Sequence, residues 1–182
     1  NSSIYLMERF KKHAITILTL ILLLLYIPFD TLAQDLRIRR SGSNANVNID
    51  DSTNPVVISL STASGGSNLR AQTIENYLNQ GSSVVLEATI TPSSDIFSST
   101  FIEKTAGGNA SLTFRSNGQV TVGEISSTAG ELDVVLWSDY NNTNDGGVAV
   151  LGNMTTNGGH VWMGGSSSNG GNYTWNGLTV GD

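Results

Sequence analysis

Gln119-Val-Thr-Val-Gly-Glu-Ile-Ser-Ser-Thr-Ala-Gly130 lies over Val148-Ala-Val-Leu-Gly-Asn-Met-Thr-Thr-Asn-Gly-Gly159 without a gap. The pair Val122-Gly123 returns as Leu151-Gly152 and again as Val180-Gly181, 29 residues further on each time. Past these strings, Leu132 and Val134 lie over Val161 and Met163. Short apolar runs closed by Gly, Asn, Ser and Thr turns at a fixed period are the mark of stacked repeats, in which each copy buries its face on the next. The reading is an all-β fold, a parallel β-helix or β-solenoid with repeats of about 29 residues.

Working upstream, Ile96 falls 29 residues before Ile125, which falls 29 before Met154. Ile96 therefore fits one period earlier, with an insertion somewhere in Phe97–Gly108. Period-2 alternation assigns faces. In Glu131–Trp137, Leu132, Val134 and Leu136 point in, while Glu131, Asp133, Val135 and Trp137 point out. The repeat then puts His160 and Trp162 over Glu131 and Asp133, also pointing out. Val120, Val122, Val161 and Met163 complete an apolar inward set. Gly123, Gly152 and Gly181 are expected at corners, where a side chain would obstruct the bend.

Before the repeats, Ile74, Tyr77 and Leu78 fall at i, i+3 and i+4, which predicts a short helix over Thr73–Gln80 ended by Gly81. Such a helix can cover the edge of the first strands. Residues 34–69 read as an N-terminal β lead-in with a Gly/Ser loop at Ser61–Ser67. Residues 70–182 read as the repeats, truncated at the C-terminus, since the chain stops inside the third copy and no polar cap is visible. The remainder of its own longer chain is then an expected partner.

At the other end, Met7-Glu-Arg-Phe-Lys-Lys12 precedes an uncharged run from Ala14 to Ile27, with Thr31-Leu-Ala33 after it. A basic start, an apolar stretch and a small-x-Ala site make a helical signal peptide over 7–33. The 14-residue run is short for a membrane span, which wants about 20. Residues 1–6 read as upstream translation. Cleavage after Ala33 leaves no transmembrane segment and an exported chain beginning at Gln34.

The 182 residues carry a net charge of −6 and no cysteine. Removing residues 1–33 takes away Glu8, Arg9, Lys11, Lys12 and Asp30, which leaves about −7 and makes Lys104 the only remaining lysine. An acidic surface repels phosphate backbones, so nucleic acid is not an expected partner. Without cysteine there are no disulfides, thiol nucleophiles or cysteine–zinc sites.

Thr73-Ile-Glu-Asn-Tyr-Leu-Asn-Gln-Gly-Ser-Ser-Val-Val-Leu-Glu-Ala88, Gly130-Glu-Leu-Asp-Val-Val-Leu-Trp-Ser-Asp139 and Thr155-Thr-Asn-Gly-Gly-His-Val-Trp-Met-Gly-Gly165 resemble the repeat regions of filamentous haemagglutinin-like adhesins. The likeness covers roughly residues 70–182. It implies a right-handed parallel β-helix and a role in attachment at the outer surface of a Gram-negative bacterium. The family's secretion domain carries an Asn-Pro-Asn-type motif, where this chain has Asn54-Pro55-Val56. The resemblance therefore does not extend to that export route.

Three groups of residues carry candidate chemistry. Trp137, Trp162 and Trp175 are expected near the surface, and aromatic faces stack on sugar rings. With His160 beside them, Trp137 and Trp162 form a candidate ligand site for surface glycans or host and neighbour-cell surfaces; the plain alternative is packing against a loop. Asp139, Asn141 and Asp145 precede Gly146-Gly147 and offer oxygen ligands for calcium. Asn144 stands where the EF-hand pattern needs glycine and no Glu closes the loop, so an ordinary turn-rich insertion competes; no other cofactor is indicated. Glu131 and Asp133 share a face, as glycosidase carboxylates do, but nothing makes one of them a proton donor. No Gly-x-Ser-x-Gly elbow, phosphate loop or His-based triad is present.

The resulting expectation is a non-enzymatic, secreted or cell-surface β-solenoid, acting as an adhesin-type stalk or contact surface. The alternatives are a fragment of a β-helix polysaccharide lyase or glycoside hydrolase, and a structural component of an extracellular matrix or surface layer.

Overall fold

A computed structural model describes residues 34–61, 66–143 and 146–165, and the backbone of 172–175 and 178–181. The signal-peptide segment and the residues before it lie outside these ranges, as do Asp145 and the side chain of Trp175.

The strands form three separate sheets and a hairpin. The first sheet is wholly parallel, in the order β12-β9-β6-β1-β4: β1 is Leu36–Arg39, β4 Ser67–Arg70, β6 Ile96–Ser98, β9 Val120–Val122 and β12 Val148–Val150. The second joins β7 (Ile102–Lys104), β10 (Ile125–Ser127) and β13 (Met154–Thr155), again parallel. The third runs β14-β11-β8-β5-β3-β2: β2 is Val47–Asp50, β3 Val56–Leu60, β5 Val84–Ala88, β8 Ala110–Ser116, β11 Leu132–Ser138 and β14 Val161–Gly165. Only β2 and β3 pair antiparallel within it. β15 (Asn172–Trp175) and β16 (Leu178–Gly181) pair antiparallel with each other. One α-helix, α1 (Ala71–Asn79), stands among the described residues.

This corrects the all-β reading. The fold is mixed α/β, with a helix and three separate, mostly parallel sheets, not a single right-handed β-helix or β-solenoid of 29-residue repeats. The strand ladders also depart from a constant period. Ile125 does pair with Met154, 29 residues on, but Ile96 pairs with Val120, Ile125 with Ile102 and Val134 with Leu112, at separations of 24, 23 and 22. Ile96 and Ile125 therefore belong to different sheets, and the Phe97–Gly108 stretch is two residues longer than its later counterpart (Ile96 to Leu112 takes 16, Val120 to Val134 takes 14), an insertion as expected but too small to make up a 29-residue period. The extra length sits in the connection after β11, nine residues long, where the connection after β8 has three. That polar loop stretches one spacing to 29, and the sequence match spread it over the chain.

The apolar core lies where the inner sheet faces meet. Val84, Leu86, Leu112, Phe114, Leu132, Val134 and Leu136 of the third sheet pack with Leu36, Ile38, Ile96, Val120 and Val122 of the first and Ile102 and Ile125 of the second. The inward parity expected for β11 and β9 is the observed one. Val161 and Met163 stand in register with Val134 and Leu136 but on an edge strand, and are 39% and 53% exposed. Carbonyls at or just past the strand ends are met by short buried side chains. Ser98 Oγ donates to Thr100 O, Ser127 Oγ to Gly130 O and Ser138 Oγ to Gly164 O, at 3.2, 3.0 and 3.3 Å.

α1 begins two residues earlier than its sequence signal and buries Ala71, Ile74, Glu75 and Leu78. Burying Ile74 and Leu78 contributes about 1.5–3 kcal/mol each. The helix packs along β7, the edge strand of the second sheet. An edge strand presents unpaired N–H groups. Here Glu75 Oε1 accepts from Glu103 N–H at 3.1 Å, and Asn79 Oδ1 accepts from Thr105 and Ala106 N–H at 2.8 and 3.0 Å. Glu75 is also ion-paired to Arg40, whose guanidinium lies 3.8 Å above the Phe101 ring.

Candidate functional site

The outer face of the third sheet carries the aromatic residues. Parallel register sets them in rows across the strands. One row runs Val85, Thr113, Val135 and Trp162; the next runs Glu87, Arg115, Trp137 and Gly164. His160 stands next to Asp133, not Glu131, because Val161 pairs with Val134 and the true ladder is two residues off the sequence match. The shift is even, so every residue keeps its face.

Trp137 does not lie at the surface as expected. It is 5% exposed, and Val135 beside it is fully buried. Two neighbours cover it. Trp162 meets the Trp137 ring edge-on at 6.1 Å between centroids, and Tyr140 does so at 4.8 Å. Both are T-shaped contacts, the arrangement that ring quadrupoles favour. Gly164 permits the first: a Cβ there would come within 2.8 Å of Trp162 Cζ2 and Cη2. The turn after β11 permits the second. Asp139 N–H donates to Gly118 O and Tyr140 N–H to Ser116 O, at 3.1 and 2.9 Å, which folds the loop back over the sheet.

Charged groups border the cluster. Arg115 is ion-paired to Glu87 on the neighbouring strand, and its guanidinium lies 4.9 Å from the Tyr140 ring centroid. Arg115 Nε and Thr113 Oγ1 are buried without a hydrogen-bond partner. His160 is exposed, with both its N–H and its ring Nδ1 on Asp133 Oδ1, at 2.8 and 3.3 Å.

The structure thus brings Trp137, Trp162 and His160 together on one face. Trp162 and Tyr140 retain exposed surface, so they can meet a ligand, while Trp137 is the base they rest on. Tyr140, Arg115 and Glu87 are members that sequence reasoning missed. Their signal is the 28-residue and 22-residue ladder offsets, which no repeat in the sequence displays.

Of the candidate calcium residues, Asp145 lies outside the described residues, and Asp139 and Asn141 take part in the hydrogen bonds of the loop. Asp139 is buried and its Oδ1 accepts from Thr143 N–H at 2.8 Å. Asn141 donates through Nδ2 to Pro92 O at 2.8 Å and accepts from Thr143 Oγ1 at 3.1 Å. Among the described residues, no three His, Cys, Asp or Glu side chains converge as a metal site. Glu131 Oε2 accepts from Asn109 Nδ2 at 2.9 Å, and with Asp133 on His160 both carboxylates of that pair are hydrogen-bonded.

No family model, curated protein or solved structure matches the chain.

Proposed function

We propose that the protein is an exported, surface-exposed contact protein of adhesin type, non-catalytic, which meets glycans through Trp162 and Tyr140 with His160 at their side. One observation carries this reading: a partly exposed Trp162, packed edge-on against a buried Trp137, beside the exposed His160, which is paired to Asp133. A fixed aromatic face presents apolar surface to a sugar's C–H groups at little cost in side-chain ordering. Imidazole and carboxylate beside it supply donors and acceptors for hydroxyls. The acidic chain favours neutral glycans over polyanionic ones.

The test is a glycan array probed with the wild-type protein and with Trp162→Ala. Trp162 lies on an edge strand and is only partly buried, so its truncation spares the core. Loss of about tenfold or more in affinity is expected, the equivalent of one aromatic contact. Undiminished binding by the folded variant would remove this face from the site. Trp137→Ala is the wrong probe, since it undermines the cluster from beneath.

A further inference from the structure

A second grid of side chains stands on the outer face of the first sheet. Leu36 pairs with Ile96 and Ile96 with Val120, so Asp35, Asp95 and Gln119 enter three neighbouring strands side by side. Two residues on, and therefore on the same face, stand Arg37, Phe97 and Thr121. Adjacent strands lie about 4.8 Å apart and like-facing residues roughly 6.6 Å apart along a strand, which gives the patch the extent of one six-membered sugar ring. These six residues, together with Ile96, line an open hollow of about 230 Å³. That is smaller than the roughly 300–1,000 Å³ of pockets for drug-sized ligands.

Phe97 is at its centre and 42% exposed. What sets this ring apart is its place in the hollow, where it offers an apolar face with donors and acceptors around it, the combination that a sugar ring's C–H face and hydroxyls match. The polar groups are held in place. Asp35 Oδ2 accepts from Arg37 Nη2 at 3.3 Å, and Asp95 Oδ1 accepts from Gln119 N–H at 2.6 Å. The second contact depends on Gly118, where a Cβ would lie 2.2 Å from Asp95 Oδ1. Gln119 is exposed.

The chemistry of the rim selects the ligand. Carboxylates only accept, guanidinium only donates, and the amide and hydroxyl do both. A partner that satisfies all of them must donate and accept from one rigid frame while laying an apolar face on a phenyl ring. An anion is repelled by Asp35 and Asp95, and a cation by Arg37, the cross-strand neighbour of Phe97. Strand addition is excluded because β6 is paired on both sides. We propose that this hollow is a second carbohydrate subsite, which takes a single pyranose unit of a neutral glycan. It stands on its own geometry and does not depend on the Trp162 cluster.

The experiment is an amide NMR titration of the ¹⁵N-labelled protein with the methyl glycosides of glucose, galactose and mannose, and separately with tetramethylammonium. Saturable shifts at Arg37, Phe97, Gln119 and Thr121 with at least one glycoside are expected. Phe97→Ala should weaken that titration about tenfold, Gln119→Ala should weaken it less, and Trp162→Ala should leave it unchanged. Both hollow variants alter exposed groups outside the core. Shifts confined to the Trp162 face would uphold the proposed function and overturn this subsite. Equal binding by folded Phe97→Ala, silence with all three glycosides, or a response to tetramethylammonium alone would also overturn this subsite, without bearing in favour of the Trp162 face.

Discussion

The Lys104 side chain sits wholly inside the fold, although β7 is an edge strand. Its ammonium donates to Ala129 O and, at 3.4 Å, to Gly107 O. Burial disfavours the charged form and pushes the Lys104 pKa below its ordinary value. A group whose folded pKa is lowered leaves the unfolded chain holding more protons between the folded value and about 10.4. Stability from this group therefore rises with pH through that window and levels off above it. Tyr77 works the other way. Burial, with the Asp51 carboxylate as acceptor, raises its pKa, so its contribution is lost as pH climbs through the folded value. Denaturant melts of wild type and Lys104→Met between pH 7 and pH 11 separate the two. The wild type should gain relative to the variant as pH rises, and parallel curves would refute the assignment. Methionine suits the comparison because it fills a similar volume without charge.

Among the elements, α1 is the one whose role follows most directly from its sequence. The i, i+3, i+4 pattern marks its apolar side, and Glu75 and Asn79, four residues apart, reach the Glu103 amide of β7 and the Thr105 and Ala106 amides of the turn after it. Asn79→Ala should cost about 0.5–1.5 kcal/mol, since water can replace part of the loss at these exposed amides. Hydrogen exchange at Thr105 and Ala106 should accelerate more than at β8, and uniform acceleration would mean general destabilisation instead. Other elements were legible only in part. Alternation in β11 identified the buried Leu132, Val134 and Leu136, because a strand's faces are a local property. Register is not local. Matching Leu151 to Val122 concealed that Val150 is the paired residue and that Leu151 lies 62% exposed in the turn. The expected exposure of Trp137 failed for a related reason. Its cover comes from a loop that folds back and from a ring on the next strand, and neither is written in its own alternation. The helix was read from its own pattern, but the fold class missed the three-sheet form because one loop's extra length passed for a period.

Across the whole molecule, three sheets are held together by one core, and the chemistry-bearing groups are turned outward on two of them. The aromatic cluster and the Phe97 hollow belong to different sheets, so each can be altered alone. The same division has a consequence for reactivity. Past Lys12, Lys104 supplies the only side-chain primary amine, and it is sealed in. The folded domain thus offers acylating reagents no lysine on its surface. An N-hydroxysuccinimide ester should modify Lys104 only as fast as the core opens, so its labelling rate, followed by mass spectrometry of the peptide spanning it, becomes a clock for unfolding. Rapid labelling under native conditions would show an opening of β7 apart from the rest. Lysine-specific proteases meet the same barrier, which leaves the interior amine as the chain's own report of whether it is folded.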